Sequence, residues 1–211
     1  KASPFQLQAG PGAGKTRTAI VLGEKRQTHV LIGCPKALKK NWHEEIQKWK
    51  TRKDDLWWMV MTKEEFRRDW KTLPKMPTVI VDEVHYFLGT KSAMMKSLAG
   101  YLDKWNIPYR YFLSATPKRS SPMDIYILCK LLGQTPNYQK FRDHFFYMIP
   151  MGKRMIPKVR PDIEEDVAAI VRKVGSIVRL EDCFDVPEQT FETEYFELTN
   201  EQKKAADALD D

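Results

Sequence analysis

The stretch Ala9-Gly-Pro-Gly-Ala-Gly-Lys-Thr16 decides the fold of this chain. It follows an extended-looking run, 5–8, and precedes a helical one, 16–22. Glycine residues allow a backbone to curl around an anion, with its N–H groups pointing inward at the start of a helix. The spacing matches the pattern [AG]xxxxGK[ST] with Ala9 in the first position. The sequence therefore predicts a phosphate-binding loop between a strand and a helix.

Two side chains of this loop have chemical roles in sites of this kind. A lysine in the position of Lys15 reaches the β- and γ-phosphates, and a hydroxyl in the position of Thr16 ligates Mg²⁺. A dinucleotide-binding fingerprint would need a third glycine where Lys15 stands, so that alternative fails. The remaining alternative is a glycine-rich turn followed by chance by Lys-Thr. We predict a nucleoside-triphosphate site whose binding residues are Gly10, Pro11, Gly12, Ala13, Gly14, Lys15, Thr16 and Arg17.

Charge is unevenly distributed along the 211 residues, whose net charge is +7. Residues 1–160 carry 30 Lys and Arg against 13 Asp and Glu, whereas residues 161–211 carry 5 against 15. A strongly basic body attracts polyanions, of which nucleic acid is the usual one. The alternative is a basic surface that serves only solubility.

Composition excludes several other classes of protein. The three cysteines and four histidines are scattered, without a CxxC pair, which argues against a disulfide framework or a zinc site. No apolar run approaches the ~20 residues of a membrane span. No secretion signal is recognisable, so we expect a cytoplasmic location and no membrane partner. Because the first residue is Lys1 rather than Met, we expect an excised piece of a longer chain.

Short apolar runs alternate with helical patterns as far as Gly133. This alternation predicts an α/β fold with a parallel, doubly wound sheet, helices on both faces, and a ligand at the carboxyl ends of the strands. A smaller C-terminal extension follows, and we divide the chain into 1–135, 136–188 and 189–211. Predicted strands are 30–34, 57–61, 78–81 and 109–113, and predicted helices are 39–50, 63–70, 93–104 and 123–132.

The pattern weakens after Gly133. The aromatic run 141–147 is interpreted as helical, and the basic, proline-interrupted run 148–161 as a loop or short hairpin. A helix is predicted over 163–174, with Gly175 as its stop. A strand over 190–198 and a capped helix over 201–209 complete the chain.

An acidic pair, Asp82-Glu83, follows the most strand-like tetrapeptide of the chain, 78–81. An aspartate in such a position holds Mg²⁺, and the adjacent glutamate orients or deprotonates the attacking water. Alone, such a pair is usually a helix cap with a solvated acid. About sixty residues after a phosphate loop, it indicates nucleotide hydrolysis. Ser114 and Thr116 follow another predicted strand, where turn formation before Pro117 is the plainer interpretation.

Together these elements resemble the DExH-box helicases and translocases of superfamily two. The resemblance is carried by the phosphate loop, Asp82-Glu-Val-His85 and Ser114-Ala-Thr116, in this order. The segment from Cys34-Pro35 to Asn41-Trp42 resembles the second block of Swi/Snf-type ATPases. The runs after Phe141 and Asp185 resemble that family's approach to its second lobe. The nearest likeness is the compact, phage-type Swi/Snf-like helicase, which implies the host cytoplasm for a phage-encoded chain.

The resemblance implies a RecA-like P-loop NTPase lobe that hydrolyses ATP with Mg²⁺ and couples hydrolysis to movement on DNA, with RNA as an open alternative. Asp82 and Thr16 would hold the metal, and Glu83, Lys15 and Asp82 would be catalytic. The strand ending at Ser114 would lie between the strands of the phosphate loop and the acidic pair. Coupling to DNA is implied for His85, Ser114 and Thr116, and strand-backbone contact for Pro35, Lys36, Lys39 and Lys40.

Two features of the family have no counterpart here. Almost nothing precedes the phosphate loop, where the family has its adenine-reading glutamine, and no Gln-x-x-Gly-Arg-x-x-Arg motif of the second lobe occurs. We therefore expect weak nucleotide binding and poor hydrolysis from this chain, with a second RecA-like lobe of the parent chain as its partner. The rival hypotheses are a nucleic-acid-binding regulatory module with a non-hydrolysing ATP site, and a P-loop kinase.

Overall fold

The computed structural model describes residues 4–51, 55–89, 92–116, 121–134, 136–151, 154–179, 182–183, 199 and 202. Six strands form one entirely parallel sheet: β1 (Phe5–Ala9), β2 (Val30–Cys34), β3 (Trp58–Thr62), β4 (Thr78–Val81), β5 (Tyr109–Ser114) and β8 (Gly175–Val178). Their order across the sheet is β3-β2-β4-β5-β1-β8. Parallel strands buried on both sides need apolar side chains throughout, and β2 and β4 are fully buried.

Helices connect these strands as crossover units. Short 3-10 turns, Lys36–Leu38 and Val84–Tyr86, follow β2 and β4. Two further strands, β6 (Phe146–Met151) and β7 (Arg154–Val159), form a separate antiparallel hairpin. The helices are α1 (Lys15–Arg26), α2 (Lys39–Trp49), α3 (Lys63–Asp69), α4 (Ala93–Lys104), α5 (Met123–Leu131), α6 (Tyr138–Phe145) and α7 (Glu164–Val174).

The sheet carries helices on both faces, as predicted. On one face, α1 and α2 cover a core that includes Ile20, Ile32 and Trp42. On the other face, α3, α4 and α5 cover a larger core that includes Phe87 and Leu128. The fold is therefore the α/β, doubly wound parallel sheet that the alternating pattern indicates.

A third core joins α5, α6 and α7 and contains Phe141, Phe145, Phe146 and Val171. The predicted helix over 163–174 is found as α7, and the loop or hairpin over 148–161 is a hairpin. The aromatic run is helical only to Phe145, because β6 begins at Phe146. The predicted strand 190–198 lies outside the described residues, as does the helix 201–209 apart from Gln202. The three-part division of the chain stays a prediction.

Sequence reasoning missed the sixth strand, β8. Gly175 does end α7, but it also begins β8 and lies opposite Gln6 of β1. A Cβ atom at position 175 would collide with the carbonyl oxygen of Gln6, so only glycine allows this approach. Within the described ranges, no helix combines the length and apolar character needed to cross a membrane.

Candidate functional site

The phosphate loop occupies the turn between β1 and α1. Gly12 and Gly14 have φ angles of 79° and 78°, in the left-handed region that glycine enters at little cost. Among the described residues, no side chain caps the first turn of α1, whose N–H groups stay available for an anion. The Lys15 ammonium donates to the carbonyl oxygens of Ala9 (2.8 Å) and Gly10 (3.1 Å), so it lies against the loop. The loop thus has the geometry and charge of an anion cradle.

The other loop residues have distinct surroundings. Thr16 is half-buried in the first turn of α1, while Pro11 is exposed. Ala13 donates its backbone N–H to the Gly10 carbonyl at 3.3 Å. The exposed Arg17 places its guanidinium 4.2 Å from the ring centre of Trp49 on α2.

Asp82 directly follows β4 and is almost completely buried, at 5% exposure. Both of its carboxylate oxygens accept hydrogen bonds. The indole N–H of Trp42 donates to Oδ2 at 2.9 Å, and the backbone N–H of Glu83 donates to Oδ1 at 3.0 Å. The carboxylate is therefore held in one orientation, with lone pairs left on each oxygen.

Burial raises the pKa of the Asp82 carboxyl above its ordinary value, and the negative charge of Glu83 raises it further. The hydrogen bond from Trp42 and the positive charge of Lys15 act in the opposite direction. Lys15 and Asp82 therefore lie close enough to interact electrostatically, although β5 lies between β1, which precedes the phosphate loop, and β4, which precedes Asp82.

Glu83 adopts a left-handed conformation (φ 49°, ψ 55°), which is uncommon for a residue with a side chain. Its Oε2 lies 3.2 Å from Nδ1 of His85, and this nitrogen lies 3.0 Å from Oγ of Ser114. The Ser114 hydroxyl donates to the carbonyl of Thr116 at 2.7 Å. The single hydroxyl proton of Ser114 is used in that bond, so its Oγ accepts a hydrogen bond from His85. This assigns a proton to Nδ1 of His85. The left-handed backbone of Glu83 is the kind of strain that concentrates at functional sites.

Topology brings these groups together at the carboxyl edge of the sheet. The strand order β4-β5-β1 places Ser114 between Asp82 and the phosphate loop, the arrangement that the resemblance implies. Thr116 enters the hydrogen-bond network through its backbone, since its carbonyl accepts from Ser114 and its N–H donates to Ser114 at 3.1 Å.

Trp42 is the member of this site that sequence reasoning missed. Its place in the helical pattern of α2 predicts a core-facing side chain, and the ring is fully buried as predicted. A buried indole N–H usually needs an acceptor, and this requirement is the signal that could have identified a polar partner. The acceptor is Oδ2 of Asp82, the candidate metal ligand.

The basic residues after β2 lie at the same edge, next to β4 in the sheet. Lys36 and Lys40 are exposed, and the Lys40 ammonium lies 3.7 Å from the Glu44 carboxylate. Lys39 differs, because its ammonium contacts Glu65 at 2.8 Å. Pro35 precedes the 3-10 turn. A hollow of about 540 Å³ lies among Lys36, Lys39, Lys40, His43, Glu44, Gln47, Thr62 and Glu65.

The residues present fit a magnesium-bound nucleotide. Within the described part of the chain, no three His, Cys, Asp or Glu side chains converge as a metal cage. Mg²⁺ does not require one, because it is usually held by one or two protein oxygens with phosphates and water. The oriented Asp82 carboxylate and the Thr16 hydroxyl are donors of that kind. A glycine-rich loop between the first strand and first helix of a parallel sheet is the architecture of P-loop nucleotide-binding domains.

No protein-family model matches this sequence, and no curated protein matches it. Among solved structures, the chain is similar to AMPPCP-bound DnaA from Aquifex aeolicus, with 16% sequence identity and a TM-score of 0.32. The similarity covers 67% of this chain and 38% of that one, so it spans little more than a third of the DnaA chain.

Proposed function

We propose that this chain binds ATP with Mg²⁺ at the carboxyl edge of its sheet and contributes the residues of ATP hydrolysis. One observation carries the proposal: a glycine cradle with its lysine, and a buried, doubly hydrogen-bonded aspartate, lie within electrostatic reach of each other. Lys15 would leave the loop carbonyls for the β- and γ-phosphates, and Thr16 and Asp82 would hold the metal. When bound, magnesium would neutralise part of the negative charge of the phosphates.

Glu83 is the candidate base for the attacking water. As the water oxygen attacks the γ-phosphorus, its proton passes to the Glu83 carboxylate, and the bond to the ADP oxygen breaks. His85 contacts both Glu83 and Ser114, so the position of the base depends on the tip of the neighbouring strand.

We further propose that the chain is the first RecA-like lobe of a DNA helicase or Swi/Snf-like translocase in the cytoplasm. Support comes from the motif order, from the basic body of residues 1–160, and from two exposed lysines at the same edge as the phosphate loop. A second lobe of the parent chain would supply arginine groups, which are worth about 10³–10⁵ in rate in related mechanisms. Residues 1–135 would form the lobe core, 136–188 its extension, and 189–211 the approach to the second lobe.

Calorimetric titration of this chain with ATP and Mg²⁺ tests the nucleotide site. Lys15→Ala is expected to abolish measurable affinity, because it removes the only side-chain ammonium of the loop. Glu83→Gln is expected to keep the affinity. Equal affinity for the wild type and Lys15→Ala would refute the site.

Hydrolysis by the two-lobed parent chain, with and without DNA, tests the motor assignment. Stimulation by DNA that Glu83→Gln removes is the expected result. Nucleotide binding without hydrolysis in the parent chain would instead identify a regulatory nucleic-acid-binding module. Phosphoryl transfer to a small acceptor would identify a kinase.

A further inference from the structure

The β6–β7 hairpin presents an apolar face to solvent. Because side chains alternate along a strand, the register pairs Met148 with Pro157 and Pro150 with Met155 on one face. Val159 shares this face, which we call the ribbon face, and all five residues are exposed. The opposite face is mixed: it has half-buried residues (Tyr147, Ile149 and Ile156) and exposed ones (Met151, Arg154 and Lys158).

This exposure is unusual within the molecule. Four of the eight exposed large hydrophobic side chains among the described residues belong to this hairpin: Met148, Met151, Met155 and Val159. Met155 is 56% exposed. Apolar side chains gathered in this way mark an interaction site rather than a solvated loop.

The base of the hairpin is anchored. Phe146 begins β6 and is buried in the core that α5, α6 and α7 share. The backbone N–H of Arg160 donates to the Phe145 carbonyl at 3.0 Å, which closes the hairpin where it leaves that core. The ribbon face therefore extends from a fixed stem.

Charge identifies the class of partner. Residues 146–160 contain four Lys and Arg and no Asp or Glu. Arg154, Lys158 and Arg160 are exposed along β7 and at its end, and by the same alternation they lie on the face opposite the ribbon face. A ribbon with one apolar face, and with cations but no carboxylates on its other face, complements a polyanion that also offers apolar surface, as a nucleic acid groove does.

The strand edges argue against another strand as the partner. Pro150 and Pro157 have no N–H to donate, and charged side chains on an edge disfavour further pairing. A second copy of this chain is therefore a poor candidate for extending the hairpin. A two-stranded ribbon about 20 Å long has the dimensions of a groove-binding element.

We propose that the β6–β7 hairpin binds a groove of duplex DNA, with the ribbon face against the sugar and base edges and the cations of the opposite face reaching the phosphates that border the groove. Methionine and proline are among the residues that proteins press between base steps of the minor groove. This inference rests on the proposed action on DNA, and it assigns a duplex contact separate from the lysines after β2.

Fluorescence anisotropy with a labelled 30-base-pair duplex tests the proposal, with the single strand of the same sequence as a second probe. The double variant Met148→Ser/Met155→Ser is expected to lower duplex affinity about tenfold, with little change in single-strand affinity. Met151→Ser is the matched control, because Met151 is 67% exposed but lies on the opposite face. Thermal melting should be the same for all three proteins.

A salt titration of the same duplex tests the cations. Arg154→Gln/Lys158→Gln is expected to reduce the slope of log K against log salt by about 2, since each phosphate contact contributes about 0.9. If wild type binds and both double variants bind like it, the hairpin inference fails while the proposed function stands. If wild type binds neither probe, the proposed action on DNA fails first. Loss of self-association without loss of duplex affinity would show that the ribbon face is a protein contact, which also overturns the inference.

Discussion

The indole Nε1 of Trp42 donates a hydrogen bond of 2.9 Å to Oδ2 of Asp82, so helix α2 directly contacts the candidate metal carboxylate. The same helix begins with Lys39 and Lys40. One helix therefore connects the basic edge of the sheet to the candidate metal carboxylate, and any displacement of α2 changes the surroundings of Asp82.

Trp42→Phe is expected to weaken magnesium-dependent ATP binding about 10- to 100-fold, the usual cost of losing a group that orients a metal ligand. ATP binding without metal should change little, because the hydrogen bond of Trp42 goes to Asp82 and not to the phosphate loop. Calorimetric titrations with and without Mg²⁺ measure both quantities. Trp105→Phe is the control, since its buried indole N–H has no acceptor among the described residues. Equal losses with and without metal would mean that Trp42 acts only through packing.

Asp82 makes the stability of the metal-free protein depend on pH. Its raised pKa means that the folded protein holds the proton more tightly than the unfolded chain. The stability that this bound proton gives the folded state is fully present below the ordinary pKa of aspartate. It is lost as pH rises through the raised pKa of Asp82. Asp82→Asn should therefore gain in Tm relative to wild type as pH rises above about 4, because it carries no charge to bury. Circular dichroism melts measure the difference in Tm between the two proteins. A difference that stays constant with pH would contradict the raised pKa of Asp82.

The alternation of strands and helices, the phosphate loop and the acidic pair could be predicted because each depends on local sequence. Apolar runs such as 78–81 indicate buried strands, and parallel strands end at a common edge. Contacts between distant side chains could not be predicted. Neither the acceptor of the Trp42 indole nor the pairing of Lys39 with Glu65 has a local signal. β8 was missed because four residues after a helix are too few to show a period.

Gly175→Ala tests this sixth strand. The added methyl group would meet the Gln6 carbonyl oxygen, and such overpacking costs about 1–3 kcal/mol. For a chain of this size each kcal/mol lowers Tm by about 2–4 °C. Ser176→Ala, one residue further along β8, is the control. An unchanged Tm for Gly175→Ala would mean that β8 does not pair with β1.

The lysines after β2 should differ in their contribution to DNA binding. Lys40→Ala and Lys36→Ala should each reduce the salt slope of duplex binding by about 0.9, as expected for one lost phosphate contact. Lys39→Ala should leave the slope nearly unchanged, because its ammonium is already paired with Glu65, which caps α3 together with Thr62. A reduction for Lys39→Ala as large as for Lys40→Ala would show that DNA displaces Glu65.

Ser114→Ala removes the acceptor that His85 contacts at 3.0 Å and so disconnects Glu83 from the tip of β5. In the two-lobed parent chain, DNA stimulation of hydrolysis should fall by about 2- to 30-fold, the usual range for a lost coupling contact. ATP affinity should not change, because Ser114 lies outside the phosphate loop. Thr116→Val is the matched control, since Thr116 joins the network through its backbone. If Thr116→Val reduces stimulation as much as Ser114→Ala does, the threonine hydroxyl itself takes part in coupling, and the route from β5 to the base does not run through Ser114 alone.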